Sequence, residues 1–214
     1  MRYARVGRSI QLGIDGVTLD GRLALPTDPT GLVLFVNGQW GVRYATRETE
    51  LAEALYDQGF ATLLMELFTP EEATERSNRF MTDILAGRLA GVCEWAQRDE
   101  RTADVDRLVF GVGPGAATGL QTAARPEADV RAVVSLNGRL DLIADTDDAV
   151  TVPTLLLVDS DDDHLLHISQ DAYGWLGDDR QHVVLQTDRD AAGPPVAEIV
   201  SLATTWFRTH ANAT

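Results

Sequence analysis

The residues whose spacing best suits chemistry form a glycine-rich stretch, Gly111-Val112-Gly113-Pro114-Gly115, about midway along the chain. Residues 107–110 before it suit a buried strand, and Ala-rich helix formers follow it up to Ala124. A strand, a tight turn and a helix in this order bring the chain out at the carboxyl edge of a sheet, where α/β proteins bind ligands. A hydroxyl at the tip of such a turn could attack an acyl carbon beside backbone N–H groups. By spacing the tip residue is Gly113, which carries no nucleophile.

The same stretch also satisfies a loose dinucleotide-binding pattern, G-x-G-x-x-x-G, from Gly113 to Gly119. A helix N-terminus at this point would favour an anion. However, the next predicted strand ends in Asn137, where a ribose-binding acid is expected, and the chain has no lysine for a Walker motif. We therefore expect no nucleotide cofactor.

A second group of reactive side chains is the acidic run over residues 159–163, which His164 follows. Several carboxylates on five residues could hold a hard cation, although the spacing of a calcium-binding loop is not met because no glycine follows. The run could equally be a solvated loop, or could supply a catalytic acid. No Cys/His set supports zinc, and we expect no bound metal.

The amino-acid composition limits which kinds of macromolecule we expect the protein to bind. The 214 residues include 33 acidic and 18 basic ones, all of the latter arginine, for a net charge of −15. This charge repels nucleic acid and anionic membranes. It resembles the composition of proteins from salt-loving archaea; a GC-rich genome would replace lysine by arginine but would not explain the acidic excess. The single cysteine, Cys93, lies in the helical pattern LAGVCEWA and is predicted to be a buried structural thiol.

The apolar pattern predicts one domain over residues 1–214. A hairpin over residues 10–25 turns at Asp15-Gly16, and strands and helices then alternate. We expect strands over residues 31–36, 60–67, 108–112, 130–136, 152–158 and 182–186. We expect helices capped at Thr46 and at Thr69, the latter leading into one long helix to Arg101, with further helices after Gly113, from Leu165 to Gly177 and over residues 196–207. Such alternation favours a mostly parallel sheet with helices on both faces. No signal peptide or membrane span is predicted, so a cytoplasmic location is expected.

Several segments together resemble the α/β-hydrolase fold, and in particular the small, lidless dienelactone-hydrolase-like proteins. LVLFVNG resembles their third strand and oxyanion loop, and FGVGPGAATGL resembles their nucleophile elbow, which usually reads G-x-S-x-G-A. VPTLLLVDSDDD resembles the strand that delivers the catalytic acid, and ATTWF the end of the last helix. The resemblance implies an eight-stranded sheet without a lid domain, and a Ser–His–Asp triad for ester or lactone hydrolysis.

Residue by residue, the resemblance places Gly113 where the family has its serine. Pro114 removes an N–H that would form half of the oxyanion hole. The position of the catalytic acid falls on Asp162, and a shift of one residue in the comparison would place it on Asp161 or Asp163. The histidine position, counted back from the last helix, falls on Asp188 or Arg189. His164 and His167 could face the edge of the site, whereas His182 lies at the wrong end of its strand, His210 is in the tail, and neither Ser135 nor Ser160 is on an elbow.

Three hypotheses follow from these residues. The first is a non-catalytic homologue with a pocket for a small molecule or a protein partner, as a monomer or a homodimer. The pocket would be lined by Asn37, Gly38, Gln39, Trp40, Gly113, Pro114, Gly115, Asn137, Arg139, Asp162 and His164. The second is a hydrolase of altered mechanism in which Asp162 or Asp188 activates water, while Asn37 and the Gly115 N–H polarise a carbonyl. The third is an inert subunit beside an active paralogue.

Overall fold

The computed structural model describes residues 7–37, 42–75, 81–143, 150–187 and 193–211, with the backbone alone for residues 37 and 42–45. Eight strands and five α-helices alternate along it. The strands are β1 (Arg8–Ile14), β2 (Val17–Ala24), β3 (Leu32–Asn37), β4 (Ala61–Met65), β5 (Arg107–Val112), β6 (Val130–Leu136), β7 (Thr154–Asp159) and β8 (Arg180–Leu185). The helices are α1 (Val42–Asp57), α2 (Thr82–Arg98), α3 (Pro114–Ala123), α4 (Asp163–Trp175) and α5 (Val196–His210).

All eight strands form one sheet in the order β1-β2-β4-β3-β5-β6-β7-β8. β1 and β2 pair antiparallel, β2 pairs antiparallel with β4, and every other pairing is parallel. The hairpin turns at Asp15 and Gly16, whose φ angles of 49° and 77° suit the two central residues of a tight turn between twisted strands. The predicted mostly parallel sheet with an N-terminal hairpin is confirmed.

Helices cover both faces of the sheet, which explains why the central strands are apolar without alternation. On one face, α1 and α5 pack on Phe35 and Phe110, whose stacked rings lie 5.1 Å apart. On the other face, α2, α3 and α4 pack on Leu34 and Val109. The sheet is therefore held rigidly from both sides, and the loops at its carboxyl edge start from fixed points.

Two predicted helix starts are wrong. The first helix begins at Val42 and not after a cap at Thr46. The capping pattern at Thr69 is formed, since Glu72 N–H donates to Thr69 Oγ1 (3.3 Å) and Thr69 N–H donates to Glu72 Oε2 (2.9 Å). Only a short 3₁₀-helix, Glu72–Thr74, follows it, and the long helix begins later, at Thr82.

Cys93 lies on α2 and is fully buried, and burial raises the pKa of its thiol to about 12. An inert, protonated thiol is the result. Within the described ranges, none of the helices combines the length and the apolar character that crossing a bilayer requires.

Candidate functional site

The centre of the candidate site is the tight turn between β5 and α3, residues 111–115, which we call the elbow turn. Gly113 at its tip has φ 55° and ψ −126°. Its N–H donates to the Leu136 carbonyl (3.0 Å), and its carbonyl accepts from Ala116 N–H (3.1 Å) and Arg139 N–H (3.0 Å). These bonds tie the turn to the end of β6 and fix the direction of the tip.

Two glycines of the elbow turn have different roles. A Cβ at Gly111 would lie 2.4 Å from Ala116 Cα, so only glycine lets α3 approach β5 this closely. A Cβ at Gly113 would meet no atom of the described residues within 4 Å. Among the described residues, nothing would therefore contact a Cβ at the tip, and Gly113 carries no side chain.

The elbow turn offers one backbone N–H fewer beside its tip than the same turn without a proline would. Pro114 is the first residue of α3 and has no N–H, so the first N–H that the helix offers is that of Gly115. Asn37 ends β3 directly beside Val112 in the parallel register. The predicted pocket residues Gly38, Gln39 and Trp40 lie outside the described residues, as does the Asn37 side chain.

Asn137 joins the ends of two strands. It has a left-handed conformation, with φ 50°, and its Oδ1 accepts from Asp159 N–H (2.8 Å) while its own N–H donates to the Leu157 carbonyl (2.8 Å). The amide oxygen of Asn137 is thus occupied in holding β6 and β7 at the edge of the site.

A charged group lies on the same edge. Arg139 donates from Nε and Nη2 to the two oxygens of Asp141 (2.8 and 2.7 Å). These hydrogen bonds hold the pKa of Asp141 below its usual value, and the nearby His164 adds to the effect. The structure thus brings predicted residues Arg139 and His164 together through Asp141, which sequence reasoning missed.

The predicted acid Asp162 and the nearby Asp159, both at the end of β7, differ in their surroundings. Asp162 is exposed, and its Oδ1 accepts from Leu165 N–H (3.0 Å), so it caps α4. Asp159 is half-buried, and its Oδ1 accepts from Thr187 Oγ1 (2.6 Å). Thr187 directly precedes the predicted histidine position, Asp188, which lies outside the described residues, as does Arg189. Asp159 therefore contacts the described start of the loop after β8, and a catalytic role of Asp162 stays a prediction.

Arg47, on α1, is a further charged group near this edge that sequence reasoning missed. Its guanidinium donates to the Pro194 carbonyl, and burial lowers its pKa while the charges of Asp159 and Glu50 oppose that shift. No local sequence pattern marks it, because Asp159 and Pro194 are distant from it in the chain.

The histidines other than His164 have partners away from the elbow turn. His182 Nε2 lies 2.9 Å from the buried Ser169 hydroxyl, and burial lowers the pKa of His182. His167 lies 3.5 Å from Asp171, and His210 lies 3.6 Å from Asp179. In the described part of the chain, no three His, Cys, Asp or Glu side chains are placed to hold a metal ion, and all of residues 159–163 belong to that part.

The sheet order, the helices on both faces and the elbow turn define an α/β-hydrolase fold. A lidless α/β serine hydrolase from Xanthomonas campestris matches over 97% of this chain and 96% of its own, with a TM-score of 0.73 at 16% identity. A dienelactone hydrolase from Anabaena variabilis matches over 96% of this chain and 98% of its own, with a TM-score of 0.87 and 32% identity. The chain belongs to the dienelactone hydrolase family.

Two curated relatives from strains of Mycobacterium tuberculosis, each named "Putative phosphoribosyl transferase", are 36% identical over 203 residues. The match takes in 94% of this chain and 46% of each relative, so the chain spans about half the length of these proteins. No family model matches the chain.

Proposed function

We propose that this protein is a non-catalytic member of the dienelactone hydrolase family that binds a small molecule beside the elbow turn. The observation that carries the proposal is the tip itself. Gly113 has a φ of 55°, a value that L side chains rarely adopt, and no atom of the described residues lies within 4 Å of the place where its Cβ would be. The turn geometry of a nucleophile position is present without a nucleophile.

The surroundings of the tip support the same conclusion. Pro114 supplies no N–H for an oxyanion, so a tetrahedral intermediate would lose one of the donors that stabilise it. A general base must lie within hydrogen-bond reach of the group it deprotonates. Of the four histidines, three have partners elsewhere, and His164 lies beside Asp141. A serine-type mechanism would lack nucleophile, donor and base together.

An enzyme of altered mechanism is the second candidate, and it is favoured by a contact that holds Thr187, the residue before Asp188, at the carboxyl end of β7. The Asp159 carboxylate makes this contact by accepting a hydrogen bond from Thr187 Oγ1. In this candidate Asp162 or Asp188 activates a water molecule that attacks an ester or lactone carbonyl. Asp162→Asn is the informative variant, because asparagine also caps helices while it removes the charge.

Transferase activity is not part of the proposal. The name of the curated relatives refers to proteins more than half of whose length lies outside the match. The likeness to the Anabaena dienelactone hydrolase spans both chains almost completely. The elbow turn belongs to the fold that these two chains share.

The test compares turnover with binding. Hydrolysis of 4-nitrophenyl acetate and of dienelactone is followed at molar salt for the wild type, Gly113→Val, Asp162→Asn and, as a control outside the site, Gly174→Ala. Calorimetric titration with dienelactone measures binding in the same samples. We expect no turnover above buffer, and dienelactone binding that Gly113→Val abolishes and Gly174→Ala preserves.

Turnover that Gly113→Val or Asp162→Asn abolishes would overturn the proposal and support the enzyme. Absence of both turnover and binding would also contradict it and would favour an inert scaffold. Circular dichroism of each variant confirms that the loss is not due to unfolding.

A further inference from the structure

A cavity of about 580 Å³ lies between the N-terminal hairpin and α2. It shares no lining residue with the elbow turn or the edge around it. Consecutive residues of β1, Gln11 to Ile14, form one wall together with Asp15, and Trp95 and its neighbours on α2 form another. Its volume falls within the range of sites for small molecules, roughly 300–1,000 Å³.

The side of the cavity that α2 forms carries small residues, which leave room beside the helix. Gly87, Ala90 and Gly91 have the spacing that puts residues on one helix face, and all three line the cavity. A Cβ at Gly87 would lie 3.9 Å from Arg125 Nη1 and 3.9 Å from Asp15 Oδ2. Gly87 therefore leaves a space between a guanidinium and a carboxylate.

Neither of these two charged groups is in a hydrogen bond or ion pair within the described part of the chain, although the charge of Asp15 acts on Arg88. Within the described residues, the Arg125 and Asp15 side chains do not pair with each other. The other guanidinium on the cavity wall, Arg98, is bonded to Glu94 (2.9 Å). Arg88, whose charge interacts with Asp15, is bonded to Glu72 and to the Leu67 carbonyl.

The charged side chains that line the cavity determine which charges a ligand there must carry. A simple anion at Arg125 would meet the carboxylates of Asp15 and Glu127, and a simple cation at Asp15 would meet Arg125. A zwitterion has a carboxylate for the guanidinium and an ammonium for the carboxylate, and it adds no net charge. The half-buried ring of Trp95 offers a surface on which an aromatic side chain can pack.

We propose that this cavity binds a free aromatic α-amino acid, with its carboxylate on Arg125 and its ammonium on Asp15. Glycine at position 87 is required because a side chain there would occupy the space between the two charges. The site is independent of the elbow turn and of the function proposed for it.

The first experiment is calorimetric titration of the wild-type protein with L-phenylalanine. L-Phenylalaninamide lacks the carboxylate, and N-acetyl-L-phenylalanine lacks the ammonium. We expect L-phenylalanine to bind and each analogue to bind at least about tenfold more weakly, because each loses one charge-assisted contact.

The second experiment uses Gly87→Ala. The new methyl would contact its neighbours at ordinary distance, and alanine favours a helix interior over glycine. We therefore expect a higher melting temperature together with a loss of L-phenylalanine binding of at least about tenfold. Gly174→Ala, at a helix position whose Cβ would meet no described atom within 4 Å, is the matched control and should leave binding unchanged.

Arg125→Gln and Asp15→Asn should each weaken binding of L-phenylalanine, and asparagine suits the left-handed conformation of position 15. Gly113→Ala should leave it unchanged, which separates this site from the elbow. The proposal is overturned if millimolar L-phenylalanine does not bind. It is equally overturned if both analogues bind as well as L-phenylalanine, or if binding survives Gly87→Ala.

Discussion

Gly113 holds a backbone conformation that is unfavourable for any residue with a side chain. At φ 55° and ψ −126°, an L-residue is strained by about 1–3 kcal/mol. An enzyme accepts such strain because the turn exposes its nucleophile. Glycine adopts this conformation without that strain. The hydrogen bonds that Ala116 and Arg139 N–H donate to the Gly113 carbonyl hold the turn in place.

The first prediction separates conformation from space at this residue. Gly113→Ala and Gly174→Ala both add a methyl that meets no described atom within 4 Å, and they differ in backbone conformation. We expect Gly113→Ala to lower the free energy of unfolding by about 1–2 kcal/mol. We expect Gly174→Ala to raise it by about 0.5–1 kcal/mol. Urea unfolding measures both, and a neutral Gly113→Ala would show that the turn is not strained.

The second prediction concerns Asp162, whose carboxylate accepts from Leu165 N–H at the start of α4. Asp162→Ala should lower the free energy of unfolding by about 1 kcal/mol, whereas Asp162→Asn should change it by less than about 0.5 kcal/mol. Chemical denaturation of the two variants side by side measures this. Equal losses in both would mean that the charge of Asp162, and not its cap, contributes the stability.

At the scale of elements, an ion pair between Arg88 and Glu72 attaches the segment after β4 to α2. Arg88 on α2 is 6% exposed, and it donates to both oxygens of Glu72 (2.6 and 2.7 Å) and to the Leu67 carbonyl (2.7 Å). The hydrogen bonds from Arg88 lower the pKa of Glu72 from 4.5 to about 2. The pair therefore fixes the short 3₁₀-helix against the long helix of the same face.

The third prediction is the pH dependence of this attachment. Because the folded pKa of Glu72 is below its unfolded value, its contribution is complete above about pH 4.5 and is lost as pH falls toward 2. Glu72→Gln should cost about 1–3 kcal/mol at neutral pH, less than a fully buried pair because a third of the Glu72 side chain is exposed.

Unfolding curves measured between pH 2 and pH 7 test this. The difference in unfolding free energy between the wild type and Glu72→Gln should shrink as pH falls. Glu71→Gln, one residue away on the exposed side, is the control and should follow the wild type at every pH. A difference that is constant with pH would rule out the charge of Glu72 as its source.

At the scale of the whole molecule, the net charge of −15 on 214 residues opposes the compact state through self-repulsion. Most of the acidic side chains in the described ranges are exposed, and salt screens exposed charges within about 3 Å at 1 M. The described strands and helices bury a core of ordinary apolar residues. We therefore expect salt concentration to change the stability mainly through the repulsion between surface charges.

The fourth prediction is a strong dependence of stability on salt. Raising NaCl from 0.1 M to 2 M should raise the melting temperature, by about 2–4 °C for each kcal/mol of repulsion removed. Sucrose at matched osmolarity is the control, because it does not screen charge. A melting temperature that rises equally in sucrose would assign the effect to solvent exclusion and not to the acidic surface.

The sequence by itself determined the features that depend on neighbouring residues. Apolar runs such as 31–36 and 130–136 are strands because both of their faces are covered, and Asp15-Gly16 turns the hairpin because both residues adopt positive φ. Gly111 and Gly113 mark the elbow turn for the same local reason. These elements, together with the resemblance to the α/β-hydrolase fold, predicted a mostly parallel sheet of eight strands with an N-terminal hairpin, whereas the order of the strands came from the structure.

Only the tertiary structure decided which side chains meet. Asp159 contacts Thr187, and Asn137 bonds to Asp159, across strands that are adjacent in space but separated in the chain. Arg125 and Asp15 face one space because α2 packs beside the hairpin. Contacts of this kind depend on packing between distant segments, and no local pattern in the sequence records them. The elbow turn could be located in the sequence from its glycines, whereas the polar groups around it could be identified only in the folded structure.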